Sequence, residues 1–483
     1  MITAQLANAN WTVTSSDVMK RFLMCFLLFC CFLLCVNCRV VHHCIKCHTT
    51  LLIEMAIRCG YSVGRTTGES SLSDQLQRFK PRNLRDEKAK KDTSKFENLA
   101  KESLKSKCVN VIVANFAQNP ITEFIPPQHM AEITNKLPTD LSPLIGAKYV
   151  YNEAYWKRCC VDRYGWHNCQ LLEHGLLWKQ VFFEKLLQEK LEDFNVQTDN
   201  LEDLYDLIDS CMDYIFTITF KQLPSHLDLC DLCSLLPNLT KLDISYGVNK
   251  IGMNYERMLF GMKISDATNL AKLFESTQTL STLVLAGNMI DDDLLRVLMT
   301  GLIKNNTITH LDVSHNKITN HGARLLSKLL GENSVMCSLN VADNHIHTEG
   351  GRYFARGLRE NDALLDLNLR LNHLGDDGCR LLLEGLQDNL TLTNLNLSSN
   401  YALDQATHTM CSIIRDTDHH MSSIDLSGNL LTEEMIEEIK SAMMKNKSMV
   451  SVDLRRNPGY KADSETIKQI EKILHDNDYH LRK

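Results

Sequence analysis

The stretch LTNLNLSSN, residues 392–400, decides the fold of this 483-residue chain. Leu395 and Leu397 alternate with polar neighbours, as expected of a short strand that buries one face. Six other stretches share the pattern: LSTLVLAGN, ITHLDVSHN, MCSLNVADN, LLDLNLRLN, MSSIDLSGN and MVSVDLRRN. Their last asparagines are 28 residues apart, with a single interval of 29, at Asn288, Asn316, Asn344, Asn372, Asn400, Asn429 and Asn457. A register kept over this many units indicates a true internal repeat.

Each unit predicts a strand, a turn and a helix. The asparagine amide can hydrogen-bond backbone groups that the turn leaves unpaired, so these asparagines are predicted to be structural. A helix follows, most clearly in GARLLSKLLGEN (322–333), where Leu325, Leu326, Leu329 and Leu330 have helical spacing. Such units resemble the ribonuclease-inhibitor subclass of leucine-rich repeats. We therefore predict an α/β solenoid with a parallel sheet on its concave side and helices on its convex side.

The composition divides the chain into five parts. We predict a Cys-rich hydrophobic leader of doubtful status at 1–60, a charged and disordered linker at 61–107, an α-helical, aromatic-rich module at 108–225, the leucine-rich repeats at 226–460 and a C-terminal capping helix at 461–483. The earliest unit, LTKLDISYGVNKIG (239–252), is irregular because its asparagine comes late, at Asn249. The last helix would shield the open end of the array.

The leader contains an apolar run from Phe22 to Val36, preceded by Lys20 and Arg21. Its length fits a signal-peptide core better than a membrane span, which needs about 17–25 residues. Two interpretations stay open: an over-extended gene model or disordered leader, and a real signal or membrane anchor. We expect contact with a membrane only in the second case.

The stretch AYWKRCCVDRYGWHNCQLLEHG (154–175) concentrates cysteines, histidines and tryptophans. Zinc is commonly held by two close pairs of ligands, and the adjacent Cys159 and Cys160 cannot easily both point at one ion. A cysteine nucleophile would need a base and an orienting group, and His167 alone suggests a base. We therefore expect no metal site, no cofactor and no catalytic residue.

The next stretch, WKQVFFEKLLQEKLEDF (178–194), predicts an amphipathic helix that packs on the start of the array. Glu184 and Lys185 fall on its polar face. Large aromatic side chains contribute strongly to packing, so we expect Trp156 and Trp178 to be structural anchors.

The exposed positions of the strands predict a polar, slightly acidic concave face. It is either an ordinary solvated surface or a docking face for a polar or basic protein partner. The candidate protein-binding residues are Asp312, Asn340, Asn368, Arg370, Asn396, Asp425, Asp453 and Arg455. The net charge of −7 argues against a nucleic-acid ligand. Cysteines without disulfide-like spacing favour a reducing, cytoplasmic compartment.

The segments IGAKYVYNEAYWKRCCVDRYGWHNC (145–169) and HGLLWKQVFFEKLLQEKLE (174–192), followed by the repeats, resemble the dynein regulatory complex subunit 5 family of t-complex-associated testis-expressed proteins. The likeness runs from about Val109 to the C-terminus. It implies a non-enzymatic scaffold in the axoneme of motile cilia or flagella, part of the cytoskeleton, that links outer doublets and regulates dynein. The implied partners are other subunits of that complex and, indirectly, axonemal dynein or tubulin.

Two alternatives use the same residues. LPTDLSPLIGAKYVYNEAYWKRCC (137–160) also resembles an F-box, which would make the protein a substrate adaptor of a ubiquitin ligase. A GTPase-activating protein of the Ran type is built on similar repeats. Such a protein is expected to end in a long acidic tail, whereas this chain ends in HDNDYHLRK.

Overall fold

A computed structural model describes residues 103–481, with gaps at 121–124, 196–197, 224–226, 248–255, 257–258, 332 and 417–418. The predicted leader and most of the predicted linker lie outside the described residues. The described residues fall into two compact units, one that ends at Pro138 and one that begins at Thr139. In the first unit, helix α1 (Leu104–Asn115) contacts helix α2 (Pro127–Lys136), and Lys105 pairs with Glu132 at 3.0 Å. The start of α1 falls within the range predicted as linker.

The second unit begins with helices. They are α3 (Pro143–Tyr149), α4 (Glu153–Tyr164), α5 (Trp178–Glu192) and α6 (Leu201–Cys211). Helix α4 starts where the side chain of Asn152 accepts a hydrogen bond from the N–H of Ala154. It stops at Gly165, whose φ of 78° suits a residue without a Cβ. Short 3-10 turns at Trp166–Asn168 and Leu171–His174 then lead to α5.

The rest of the second unit is built on one parallel sheet, and its strands lie side by side in the order in which they occur in the chain. The strands are β1 (Thr217–Leu223), β2 (Lys241–Tyr246), β3 (Thr282–Val284), β4 (His310–Asp312), β5 (Ser338–Asn340), β6 (Asp366–Asn368), β7 (Asn394–Asn396), β8 (Ser423–Asp425) and β9 (Ser451–Asp453). Equivalent positions pair directly: Leu339 stands opposite Leu311 and Leu367. This register confirms the predicted leucine-rich-repeat solenoid.

Helices form the other layer of the solenoid. They are α7 (Leu229–Ser234), α8 (Ile264–Ser276), α9 (Asp292–Leu302), α10 (Asn320–Leu326), α11 (Thr348–Arg359), α12 (Gly375–Leu386), α13 (Asp404–Arg415), α14 (Glu433–Met443) and α15 (Glu465–Leu481). Neighbouring helices pack closely where one presents a glycine. A Cβ on Gly301 of α9 would lie 2.0 Å from the carbonyl oxygen of Ala271 on α8. Any larger residue there would push these two helices apart.

The sheet begins earlier than the repeat pattern indicates. Strand β1 lies inside the range predicted as a helical module, 108–225, and pairs with β2 from Thr217 opposite Lys241. The strand was missed because TITFKQL buries Ile218, Phe220 and Leu223 without strict alternation, owing to a register shift between Phe220 and Leu223, and because no asparagine follows it at the repeat position. The irregular unit at 239–252 therefore contains the second strand of the sheet.

The repeat asparagines lie buried in one column beside the strands. Asn316 shows their geometry: its Oδ1 accepts hydrogen bonds from the N–H groups of Asn288 and Ile290, at 3.0 and 2.9 Å. Its Nδ2 donates to the carbonyls of Leu285 and Val313 at 3.1 and 2.9 Å. One side chain thus satisfies backbone groups of two consecutive units. The buried set comprises Asn288, Asn316, Asn344, Asn372, Asn400, Asn429 and Asn457.

A second polar column lies where the helices return to the strands, and the sequence analysis missed it. Asn389 accepts from the N–H of Leu392 at 2.9 Å and donates to the carbonyl of Leu358 at 2.8 Å. One position departs from asparagine: His419 donates through Nε2 to the carbonyl of Leu386 at 3.0 Å. The side chains that donate in the same way are those of Asn305, Asn361, Asn446 and Asn477.

Helix α15 follows the last strand and packs on α14. Ile467 and Ile470 are buried, and Asn477 donates to the carbonyls of Asn446 and Met449 at 3.1 and 2.9 Å. The helix therefore supplies hydrogen-bond donors to the last turn of the array as well as apolar cover.

Candidate functional site

Six of the eight candidate docking residues on the concave face accept hydrogen bonds within their own turns. Asp312 accepts a hydrogen bond from the N–H of Ser314 at 2.8 Å, and Asp425 accepts one from Ser427 at 2.9 Å. Asn396 on β7 also donates to Asp425 on the adjacent strand β8, at 3.1 Å. The same local bond is made by Asn340, Asn368, Asn396 and Asp453. These side chains are half-buried, so the column is not simply a solvated row of strand positions.

The two ends of this face differ in their electrostatics. At the last strand, Arg455 approaches Asp453 with its Nε 2.9 Å from Oδ1, and this hydrogen bond holds the pKa of the Asp453 carboxyl below its ordinary value. On β2, burial raises the pKa of Asp243 above its ordinary value.

A hollow of about 490 Å³ opens on the concave face near the last strands. It brings Arg370, Arg455 and Arg456 together with Asp425 and Asp453. Of the eight candidate protein-binding residues, four therefore line one depression, whereas Asp312, Asn340, Asn368 and Asn396 lie outside it. The neighbouring Arg456 was not singled out from the sequence, although it adjoins Arg455.

The aromatic module is organised around Trp156. This side chain is 1% exposed, and its Nε1 donates to the carbonyl of Val150 at 2.9 Å. The rings of Phe182 and Phe183 lie 5.0 Å from the Trp156 ring. A Cβ added to Gly146 would stand 2.9 Å from the indole, so only glycine fits beneath it.

Trp178 is a weaker anchor than the sequence suggests. It is only half-buried, because it is the first residue of α5 and sits at the edge of the module. Its ring lies 5.6 Å from that of Trp166, which is 55% exposed. Lys157 lies over both rings, at 5.0 and 5.6 Å. The two tryptophans therefore form a surface pair, and Trp156 is the fully buried one.

Glu184 was placed on the solvent-facing side of its helix, and this placement is wrong. Its side chain is 1% exposed and contacts His174. Gln180 donates to its Oε1 at 2.9 Å, and the N–H groups of Phe216 and Thr217 do so at 2.8 and 2.7 Å. The carboxylate is buried because this side of α5 packs on the start of β1. Glu184 thus joins the helical module to the sheet.

Lys179 is buried on the same helix. Its ammonium donates to the carbonyl of Ala147 at 2.7 Å and to the hydroxyl of Tyr214 at 3.0 Å. It also lies 4.5 and 4.1 Å from the ring centroids of Tyr151 and Tyr214. Burial lowers the pKa of Lys179 to about 8. The lysine is therefore a structural crosslink between α5 and the residues around it.

Two of the three cysteines in the 154–175 stretch point into the protein, whereas Cys169 is only half-buried. Cys159 and Cys160 are buried in α4, and Cys160 donates through Sγ to the carbonyl of Trp178 at 3.4 Å. Burial raises the pKa of both thiols, so they are protonated near neutral pH and are poor nucleophiles. His174 is engaged by Glu184.

Two negative observations concern the described part of the chain, from 103 to 481 with its gaps. No group of three His, Cys, Asp or Glu side chains there could hold a metal ion. No helix in the same residues has the length and apolar character needed to cross a membrane.

A family model matches part of the repeat region. Residues 304–327, 332–355 and 361–383 match the family model described as Leucine Rich repeat. An internalin from Listeria monocytogenes is 15% identical with a TM-score of 0.28, and the match covers 60% of this chain and 92% of the internalin.

The curated relatives include proteins named dynein regulatory complex subunit 5. The one from Chlamydomonas reinhardtii is 39% identical over 195 residues, which are 40% of this chain and 50% of that protein. The one from Homo sapiens is 32% identical over 235 residues, covering 43% of this chain and 46% of that protein. The chain thus spans about half the length of the relatives that it matches. It contains leucine-rich repeats and is similar in sequence to proteins named dynein regulatory complex subunit 5.

Proposed function

We propose that this protein is a non-enzymatic scaffold subunit of the dynein regulatory complex in motile cilia or flagella. The observation that carries the proposal is the 39% identity over 195 residues to a protein named for that complex. The protein would reside on the axoneme and help to link outer doublets and regulate dynein. Its direct partners would be other subunits of the complex, with dynein or tubulin contacted indirectly.

The described residues support a role in binding. Repeat solenoids offer an extended surface for protein partners. On this surface the carboxylates of Asp312 and Asp425 are held by backbone N–H groups, so they are fixed in place for recognition. The thiols of Cys159 and Cys160 have raised pKa values and face inward. The inward-facing thiols would thus contribute to packing, and the fixed carboxylates would contact a protein partner.

We infer that the concave face and the helical module have different tasks. The concave face, with Asp312, Asn340, Asn368, Arg370, Asn396, Asp425, Asp453 and Arg455, would dock a protein partner. The module would hold the first strand through Glu184 and keep the array rigid. A rigid face loses less entropy on binding than a flexible one.

Localisation tests the proposal. The full chain, carrying a fluorescent tag, replaces the endogenous protein in a ciliated cell, and the cilia are extracted with detergent. We expect the tag to remain along the extracted axonemes. A Trp156→Ala variant, whose module is destabilised, should be depleted from them. Complete release of the tagged wild-type protein by detergent would overturn the axonemal assignment.

A further inference from the structure

The hollow on the concave face brings together arginines of different repeats. Arg370, Arg455 and Arg456 line it and are exposed. The sequence explains the shape: the residues two positions after the last residues of β6, β7, β8 and β9 are Arg370, Ser398, Ser427 and Arg455. Two arginines therefore stand on either side of a floor made by two serines.

The next position in each of these turns has a left-handed backbone conformation. It is occupied by Leu371, Ser399, Gly428 and Arg456, all with positive φ. Gly428 is required there by space as well as by φ, because a Cβ would stand 2.7 Å from the Oγ of Ser399. Small residues in the two middle repeats thus create the depth of the hollow, and arginines border it.

The arginines differ in how much of their charge is available. Arg455 is paired with Asp453, and Asp425 accepts hydrogen bonds from Ser427 and Asn396. Arg370 and Arg456 form no ion pair with any residue that the structure describes. Their guanidinium groups therefore border the hollow with free donors. Arginine is well suited to hold a carboxylate through two parallel hydrogen bonds.

From this arrangement we propose that the hollow binds an acidic peptide segment of a protein partner through its glutamate or aspartate carboxylates. Strands β6 and β9 are three strand spacings apart, or about 14 Å. An extended peptide advances about 3.4 Å per residue, so two acidic side chains four residues apart span the hollow. The occupant is thus an extended segment that carries carboxylates at positions i and i+4 and crosses the strands.

A carboxylate fits this hollow better than a phosphate. Asp425 and Asp453 line the same depression. A phosphoryl group carries nearly two negative charges at neutral pH and is disfavoured beside carboxylates. Each glutamate of the peptide brings a single charge, which one arginine can balance. The proposal deepens the docking role proposed for the concave face and rests on it.

The test measures peptide binding to the purified full-length chain by fluorescence anisotropy. The probe is a labelled Gly/Ser peptide with glutamates at positions i and i+4. Comparison peptides carry glutamine at both positions, glutamates at i and i+1, or phosphoserine at both. We expect binding of the first peptide to weaken at least about tenfold when both glutamates become glutamine, and to weaken with added salt. The i,i+1 peptide should also bind more weakly.

Charge reversal identifies the residues. The double variant Arg370→Glu with Arg456→Glu should lose at least about tenfold in affinity for the i,i+4 peptide. The control Arg324→Glu, an exposed arginine on α10, should bind like the wild type. Both variants should melt near the wild-type temperature, because neither Arg370 nor Arg456 has an ion-pair partner among the described residues.

Three results would overturn the proposal: no measurable binding of the i,i+4 peptide, equal binding of its glutamine version, or undiminished binding by the double variant. Tighter binding of the phosphoserine peptide would refute the choice of carboxylate. These outcomes are independent of axonemal retention. A protein that stays on extracted axonemes but ignores the acidic peptide would refute this inference and leave the proposed function standing.

Discussion

Glu184 on helix α5 accepts a hydrogen bond 2.7 Å long from the backbone N–H of Thr217, the first residue of strand β1. The same carboxylate oxygen accepts the N–H of Phe216. These donors lie at the start of β1, which is the edge strand of the sheet, and no earlier strand among the described residues pairs with them. A helix side chain therefore does at this end what the repeat asparagines do farther along.

Removing that carboxylate should destabilise the junction between module and array. In Glu184→Ala, the part-buried N–H groups of Phe216 and Thr217 lose their acceptor, and the buried side chains of His174 and Gln180 lose theirs. A buried polar group without its partner costs about 1–3 kcal/mol, so we expect a loss of at least about 2 kcal/mol in the free energy of unfolding. Urea denaturation followed by circular dichroism measures it.

A matched control lies on the same helix. Glu189 pairs with Arg163 at 3.0 Å, but both side chains are about two-fifths exposed. Exposed ion pairs contribute about 0–1 kcal/mol, so Glu189→Ala should have a much smaller effect. Equal losses for the two variants would mean that Glu184 has no special role at the junction.

The asparagine column makes a second prediction. Asn344 accepts from the N–H of Ile318 at 3.0 Å and donates to the carbonyls of Val313 and Val341 at 3.1 and 3.0 Å. Asn344→Ala should cost about 1–3 kcal/mol, whereas the exposed Asn306→Ala should stay within about 0.5 kcal/mol. Urea midpoints of the two variants decide the point, and indistinguishable midpoints would contradict it.

Asn457 extends this comparison to the end of the array. It is 6% exposed and bonds to Leu431, Leu426 and Leu454 in the same pattern. Asn457→Ala should therefore cost nearly as much as Asn344→Ala, by the same loss of buried hydrogen bonds. A negligible cost at Asn457 would show that solvent reaches the last turn despite its burial in the structure.

The tryptophans should differ sharply. Trp156→Ala removes a fully buried indole and should cost about 3–5 kcal/mol. Trp166→Ala removes an exposed ring whose main contact is the pair with Trp178, so its cost should be below about 1.5 kcal/mol. Thermal melts of both variants test the ranking. A larger loss at Trp166 would show that the surface pair, rather than Trp156, anchors the module.

Lys179 should make the free energy of unfolding increase with pH in the alkaline range. Its pKa in the folded chain is about 8, below the ordinary value of 10.5. Between these values the unfolded chain binds more protons than the folded chain, so the contribution of Lys179 to stability rises with pH. One proton gives a slope of at most about 1.4 kcal/mol per pH unit. Urea midpoints between pH 8 and 10 measure the slope.

The variant Lys179→Met isolates this effect, because it keeps a long side chain and removes the titrating group. We expect its stability to rise less steeply than that of the wild type between pH 8 and 10. Parallel curves for the two proteins would show that Lys179 does not lose its proton in this range.

The sequence predicts the repetitive part of the fold well, for a physical reason. Each strand buries its leucines and each turn needs an amide at one position, so residues such as Leu395 and Asn400 recur at a constant interval. The same pattern does not reveal strand β1, because no asparagine follows TITFKQL at the repeat position. The donors Phe216 and Thr217 are satisfied from another element, and no local pattern reveals that.

The module shows where helical periodicity misleads. Glu184 and Lys179 are polar by type, and an amphipathic pattern assigns polar residues to solvent. Helix α5 is covered on more than one side, so both residues are buried and hydrogen-bonded. For Trp178 the periodic pattern predicts too much burial, because a large ring at the end of a helix is left half-exposed. In both cases burial depends on packing between elements, which a single-helix pattern does not contain.

The concave hollow was only partly predictable. Arg370 and Arg455 stood out as charged strand-end residues, but their convergence depends on how many repeats separate them and on the small residues between. The depth over Ser427 and Gly428 follows from the register of β6 to β9. Once the repeats are aligned, the column Arg, Ser, Ser, Arg is visible in the sequence.

The central claim, that this chain is a scaffold of the dynein regulatory complex, is tested most directly by co-purification. The tagged full-length protein is isolated from salt-extracted axonemes of motile cells, and its partners are quantified by mass spectrometry against an untagged strain. We predict enrichment of other dynein regulatory complex subunits in near-equal amounts. Enrichment of ubiquitin-ligase subunits without any of these axonemal proteins would contradict the account and favour the F-box alternative.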